Sequence, residues 1–318
     1  MRKDKSKTSE PKARYRVRNW STYNTGLINR GNVSMWIDEA ALECIPDFEP
    51  ARGRPRLYSD ALIQVLLGLK TVFRLPLRAL QGFAQSVRDL AFAALPVPNY
   101  TTLNRRAQTL EVQLPIVRDG DSIHLVVDST GVKVYGEGEW KVRQHGYSKR
   151  RTWRKVHLTL DANTGQVRAA LMTHQDVADG DVLAELLAQI PAGEQLDVVG
   201  GDGAYDSKAC HAAIAARGAM PSIPPREGAA HWSANTSGAT WRNDAVDAIA
   251  RAGRREWKNA SGYHRRSLAE NAIYRFKTLT GNSMWARHTD AQATEIAIRM
   301  GVLNRMANLA RPQSGRIA

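Results

Sequence analysis

From Ser122 onward the chain carries four short apolar, β-rich runs in an order that few folds accommodate: IHLVVD, WRKVHLTLD, QVRAALMT and LDVVGGD. Asp161-Ala-Asn-Thr-Gly lies between the second and third runs and has the composition of a hairpin turn. Residues 179–190, between the third and fourth, have helical spacing. VKVYGEGEW, after the first run, fits either a second strand or a loop. Antiparallel strands followed by helix, strand and helix predict a mixed sheet covered by helices. Residues 226–258 are polar with little periodicity and are read as a small insertion. Residues 262–309 are mostly helical in pattern, and 311–318 read as a loose tail.

The first 120 residues have a different texture. Residues 1–18 are basic and read as a disordered electrostatic arm. Ser34 is a candidate cap for a short helix over Trp36–Leu42, ahead of Pro46. A basic turn, Arg52-Gly53-Arg54-Pro55-Arg56, precedes Ser59. Ser59 in turn caps a helix with Leu62, Leu66, Leu69 and Phe73 on one face, ended by Pro76. Helices are predicted over 77–85 and 88–94, and a last one, TTLNRRAQTL, starts at Asn99 or Thr101. The set suits a helix-turn-helix array over 19–120 with Arg105 and Arg106 on the reading helix. An ordinary bundle with a solvated basic face fits the residues equally well.

Lys and Arg number 45 against 31 Asp and Glu, a formal charge of +14. Such an excess suits a polyanionic partner, of which nucleic acid is the common one. Cys44 and Cys210 have no metal-ligand spacing and fit a reducing cytoplasm. The basic N-terminus lacks the apolar stretch of a signal peptide, and the run Ala61–Phe73 is too short to span a bilayer. No membrane association is expected.

Asp128 ends the first apolar run and Asp202 the fourth. Either one, taken singly, reads as a turn residue; together they make a candidate metal pair at the carboxyl ends of strands. Tyr263, Arg266, Glu270 and Lys277 are spaced by three, four and seven residues. On a helix they fall within a stripe about 60° wide, with Leu268, Ala272, Phe276 and Leu279 on the other side. By spacing, Arg266 and Glu270 are equally a surface ion pair.

The pattern Tyr-x2-Arg-x3-Glu-x6-Lys, here YHRRSLAENAIYRFK, resembles the segment around the catalytic glutamate of bacterial insertion-sequence DDE transposases. DSTGVKVYGEGEWKVRQHG and VVGGDGAYDSK resemble that family's first- and second-aspartate regions. RNWSTYNTGLINRGNVSMWIDE and AIRMGVLNRMANLA resemble its N-terminal segment and C-terminal helix, so the likeness spans about residues 18–309. The resemblance implies an RNase-H-like α/β core over 121–310, preceded by the small all-α, helix-turn-helix-like DNA-binding region. It implies Asp128, Asp202 and Glu270 as catalytic metal ligands, and Tyr263, Arg266 and Lys277 as contacts to DNA ends. The implied cofactor is two Mg²⁺ ions, with Mn²⁺ able to substitute. The implied partners are double-stranded DNA, both element ends and target, and further copies of the chain in a dimeric or larger synaptic complex on the bacterial nucleoid. Trp241 and Trp257 are candidates for stacking in place of a flipped base, though a core or surface role is the simpler reading of each.

In-line displacement at phosphorus needs an activated oxygen nucleophile and a stabilised leaving oxygen, which hard cations held by carboxylates supply. Lys149, Arg150, Arg151, Arg154 and Lys155, interleaved with Tyr147 and Trp153, suit DNA-backbone contact, with a solvated loop as the plain alternative. His145 and His157 read as structural or phosphate-facing rather than as ligands. Two other functions fit the same residues: an RNase-H-like nuclease that cuts without joining, and a catalytically silent DNA-binding regulator.

Overall fold

The structure, a computed structural model, describes residues 14–37, 42, 57–118, 120, 122–135 and 152–317. Strand β1 (Arg14–Val17) is followed by helix α1 (Trp20–Asn29) and a 3₁₀ turn over Val33–Met35. That turn is capped by Asn32, whose side chain accepts from Ser34 N. The helix expected over Trp36–Leu42 lies largely outside the described residues, as do Cys44 and the basic turn 52–56.

Helix α2 (Asp60–Phe73) starts where Ser59 accepts from Leu62 N, as its sequence predicts. Its Leu62, Ile63, Leu66 and Leu69 are buried. α3 is one helix over Leu77–Leu90, where the sequence suggested two. α4 (Tyr100–Arg106) is capped by Asn99.

The sheet runs β4-β3-β2-β5-β6. β2 (Ile123–Tyr135), β3 (Thr152–Asp161) and β4 (Val167–His174) are antiparallel neighbours, while β5 (Leu196–Gly200) and β6 (Met220–Ser222) join in parallel. This is the mixed sheet that the order of apolar runs predicts. The β3–β4 hairpin is pinned by Asp161, which accepts from Asn163 N at 2.8 Å and from Thr164 Oγ1 at 2.7 Å. Gly165, at φ 69°, completes the turn in a region that disfavours side chains. VKVY continues the first strand, so Asp128 lies mid-strand and not at its end. The cause is β3, whose pairing with β2 reaches Tyr135.

Each face of the sheet is covered. Ile123, Leu125 and Val127 pack with α5 (Leu183–Ala188) and α6 (Lys208–Ala216). Val126, Val156 and Leu158 pack on the opposite face with α9 (Ser267–Thr280) and α10 (Thr289–Leu309). Between these lie α7 (Ala239–Ala252) and α8 (Arg254–Ala260), so the polar stretch read as an insertion is itself mostly helical. Helix α10 belongs to two cores. Its Ile296, Met300 and Leu303 face the sheet, while Ile298, Val302 and Met306 complete the core formed by α2, α3 and α4.

The chain ends also depart from the sequence reading. Arg14–Val17 were expected in a disordered arm and Ser314–Ile317 in a loose tail. They pair antiparallel as β1 and β7 (Ser314–Ile317), because each supplies the backbone partners the other lacks. No helix among the described residues is long and apolar enough to cross a membrane.

Candidate active site

The parallel ladder between β2 and β5 ends at the pair Val126–Gly200. Asp128 and Asp202 each stand two residues beyond it, on neighbouring segments of the chain. Asp202 caps a 3₁₀ turn, Gly203–Tyr205, by accepting from Ala204 N at 2.9 Å. The approach of chain and ring there is close: a Cβ on Gly201 would lie 2.8 Å from Tyr205 Cδ2 and 3.1 Å from Val127 Cγ1. Glu270 sits in the first turn of α9, which packs on the face of the sheet that Val126 shares.

The three carboxylates feel one another. Burial pushes the Asp128 carboxyl up, and Asp202 and Glu270 push it the same way, against a hydrogen bond from Ser129 N–H and the Arg266 cation. Arg266 lies among them. Its Nη2 hydrogen-bonds Glu270, and Nη1 is 3.6 Å from Asp128 Oδ2. Partial burial works against its charge, but Tyr263, Glu270, Asp128 and Asp202 together hold the guanidinium above its ordinary value.

The four motif residues do not share one α-helix. Tyr263–Arg266 form a 3₁₀ turn, and the α-helix begins at Ser267. Because 3₁₀ residues three apart eclipse, Tyr263 and Arg266 still share a side. Tyr263 lies 6.0 Å from the Trp257 ring, with Lys258 Nζ 5.0 Å over its own ring. Lys277 is half-buried, and its side chain makes no hydrogen bond or ion pair with the described residues. The apolar side of α9 is as expected: Ala272 and Phe276 are buried, and Leu268 and Leu279 pack against the same core.

A metal was the sequence expectation for this cluster. Carboxylate oxygens are the donor chemistry that Mg²⁺ and Mn²⁺ take, and the mutual repulsion at Asp128 is what a cation would relieve. Among the described residues, however, no group of three His, Cys, Asp or Glu side chains stands ready to ligate. Glu270 is instead paired with Arg266.

The remaining candidates divide. Arg105 is exposed on α4. Arg106 turns inward, pairing with Asp60 and donating to Tyr58 O at 2.8 Å. Arg154 donates to Gln292 Oε1 of α10 at 3.0 Å. Lys155 pairs with Asp179 at 2.7 Å and donates to Val177 O at 3.0 Å. His157 is buried beside that pair, with Nε2 2.9 Å from Thr173 Oγ1, and burial lowers its pKa. Lys149, Arg150 and Arg151, with Tyr147 and His145, lie outside the described residues. Trp257 is buried and Trp241 exposed.

Sequence reasoning did not single out Asp206 or Arg242. Asp206 accepts from Arg226 N and from Arg242 Nε at 3.1 Å, which fixes the segment after Asp202 to α7. The one sequence signal was an Arg in a polar stretch, which is uninformative without its partner. Tyr205 was likewise passed over; it is buried, and its hydroxyl has no hydrogen-bond partner among the described residues.

Among solved structures, a chain of the simian T-cell lymphotropic virus intasome in complex with PP2A regulatory subunit B56 gamma is similar at 13% identity. The match covers 73% of this chain and 66% of that one, so this chain spans just under two thirds of its length. The TM-score of 0.27 is too low for the superposition to bear on the fold. The family comparison is direct. A model described as a transposase DDE domain matches residues 28–137, and a second of the same description matches residues 119–305, more than half of the chain. With that coverage, and with a mixed sheet flanked by helices beneath it, the chain belongs to the insertion-sequence DDE transposases.

Proposed function

We propose that this transposase binds the terminal inverted repeats of its own insertion sequence, cleaves the DNA there, and joins the freed 3′-hydroxyls to target DNA. The observation that carries the reading is the convergence of Asp128, Asp202 and Glu270, from β2, the end of β5 and α9, around Arg266. Family membership implies dependence on a divalent metal. In this reading the three carboxylates hold two Mg²⁺ ions, and Mn²⁺ substitutes. When bound, the ions activate the attacking oxygen and stabilise the leaving one.

The chain's own residues do the rest. Arg266 moves from Glu270 to a phosphate oxygen of the DNA end, a charge-assisted exchange that leaves Glu270 free. Lys277, without a protein partner among the described residues, takes a neighbouring phosphate, and Tyr263 bounds the strand beside Trp257. Ser129 N–H keeps Asp128 oriented at 2.8 Å. The helices α2–α4 bring Arg105 to the repeats, and two ends are held by a dimer or larger assembly on the bacterial nucleoid.

The test is a joining assay. Full-length protein, an element-end duplex and a supercoiled target plasmid are incubated with Mg²⁺. Joined products are expected. Asp128→Asn, Asp202→Asn and Glu270→Gln should each abolish cleavage while end binding persists. Cleavage without joined product would identify a nuclease instead, and neither product a silent binder.

A further inference from the structure

Helix α9 carries a second cationic feature away from the carboxylates. Arg275 is five residues beyond Glu270, roughly 140° around the helix from it. It is half-buried and makes no hydrogen bond or ion pair with any described residue. Its charged neighbours are Arg30 and Arg311, and burial together with these two cations disfavours its own charge. Arg30 donates to Met306 O at 3.2 Å and Ala310 O at 3.3 Å. Arg311 donates to Asn163 O at 3.0 Å, and Asn163 Oδ1 accepts from Arg265 at 2.6 Å. A line of arginines thus runs from Arg265, next to Arg266, over the β3–β4 turn to Arg311, Arg275 and Arg30.

Residues 14–37 and 296–317 contain no Asp or Glu and eight Arg, of which Arg299 is buried and paired with Glu295. The β1–β7 ribbon adds exposed Arg16, Arg18 and Arg316. Tyr15 and Trp20 stand among them at 66% and 60% exposure. Partly buried like charges without a counter-ion raise the energy of the fold, and an anion laid across them lowers it. Arginine forks match the phosphate oxygens of a duplex backbone.

We propose that this face, formed by Arg275, Arg30, Arg311 and the terminal ribbon, is a second DNA-binding surface that holds the phosphate backbone of duplex DNA outside the catalytic centre. It deepens the transposase reading, because a strand seated at Arg266 continues onto it through Arg265. The excess of arginine on this face does not depend on that continuity.

The experiment measures binding of the whole protein to a random-sequence 30-base-pair duplex by fluorescence anisotropy, in EDTA, over a range of salt. The variants are Arg275→Gln, Arg275→Lys and the double variant Arg16→Gln/Arg316→Gln. Each lost phosphate contact should flatten the log–log salt slope by about 0.9. Arg275→Gln is expected to flatten it by about one contact and the double variant by about two, with several-fold weaker binding at low salt. Arg275→Lys should keep the wild-type slope, and Arg275→Gln should melt no lower than wild type, since it removes repulsion. Unchanged slopes in both Gln variants, with wild type still joining DNA in Mg²⁺, would overturn the proposal. If wild type fails to cut or join but the slopes change as stated, the surface stands and the catalytic reading falls.

Discussion

Replacing Arg242 by Met would strand the carboxylate of Asp206 inside the protein. That carboxylate is 1% exposed, and Arg242 beside it is 5% exposed. Asp206 accepts from Arg242 Nε at 3.1 Å and Nη2 at 3.3 Å and from Arg226 N at 3.0 Å, with His211 Nε2 3.2 Å away. Arg242 stacks 4.2 Å over Trp232 and donates to Ala230 O at 2.5 Å. Burial would by itself raise the Asp206 carboxyl; the surrounding donors His211, Arg242 and Arg226 override it and hold it at about 2, against 3.8 for the free group. A folded value below the unfolded one stabilises the fold above pH 3.8, and the effect is lost as pH falls through about 2. At about 1.4 kcal/mol per pH unit the contribution near neutrality is ~2 kcal/mol. Removing the cation costs more than that, because it leaves a buried charge unpaired: about 3–5 kcal/mol is expected for Arg242→Met at pH 7. Urea denaturation followed by tryptophan fluorescence measures it directly. The difference between wild type and variant should shrink as the pH is lowered toward 2, first because the unpaired carboxylate of the variant protonates and then because Asp206 of the wild type does. A variant within 1 kcal/mol of wild type at pH 7, or a pH-independent difference, would refute the reasoning. Because Asp206 follows Asp202 by four residues, the surviving folded fraction should also cleave DNA poorly.

Gly201→Ala places a methyl 2.8 Å from Tyr205 Cδ2 and should cost about 1–3 kcal/mol while displacing Asp202, read as a lowered melting temperature with lost cleavage. Arg266→Ala and Lys277→Ala should change stability by under about 0.5 kcal/mol yet lower strand transfer more than about tenfold; near-normal transfer by both would make the motif a solvated face. A fragment ending at residue 120 should not melt cooperatively, since Ile298, Val302 and Met306 of α10 complete the core around α2. At roughly 1.5–3 kcal/mol for each buried side chain, their loss exceeds what a small helical unit can spare, and a sharp thermal transition by circular dichroism would contradict this.

The described residues divide between what is local and what is not. The strand runs, the hairpin at Asp161–Gly165, the Ser59 cap and the apolar side of α9 each depend on neighbours within a few positions, so the sequence by itself determined them. So did the likeness to the DDE transposases, which rests on spacings within short segments. The placement of Asp128 was different: its strand continues to Tyr135 because β3 pairs along that length, and no residue near Asp128 announces it. Lys155 and Arg106 read as DNA contacts by charge, and the structure pairs them with Asp179 and Asp60, which lie 24 and 46 residues away in the chain. The β1–β7 ribbon joins opposite ends of the chain, and α10 serves two cores because its faces differ in what they meet. Long-range pairing is decided by which surfaces can cover one another, and a periodicity that marks a face as apolar or charged carries no record of its partner. Tertiary structure alone therefore decided which basic side chains have a distant carboxylate beside them.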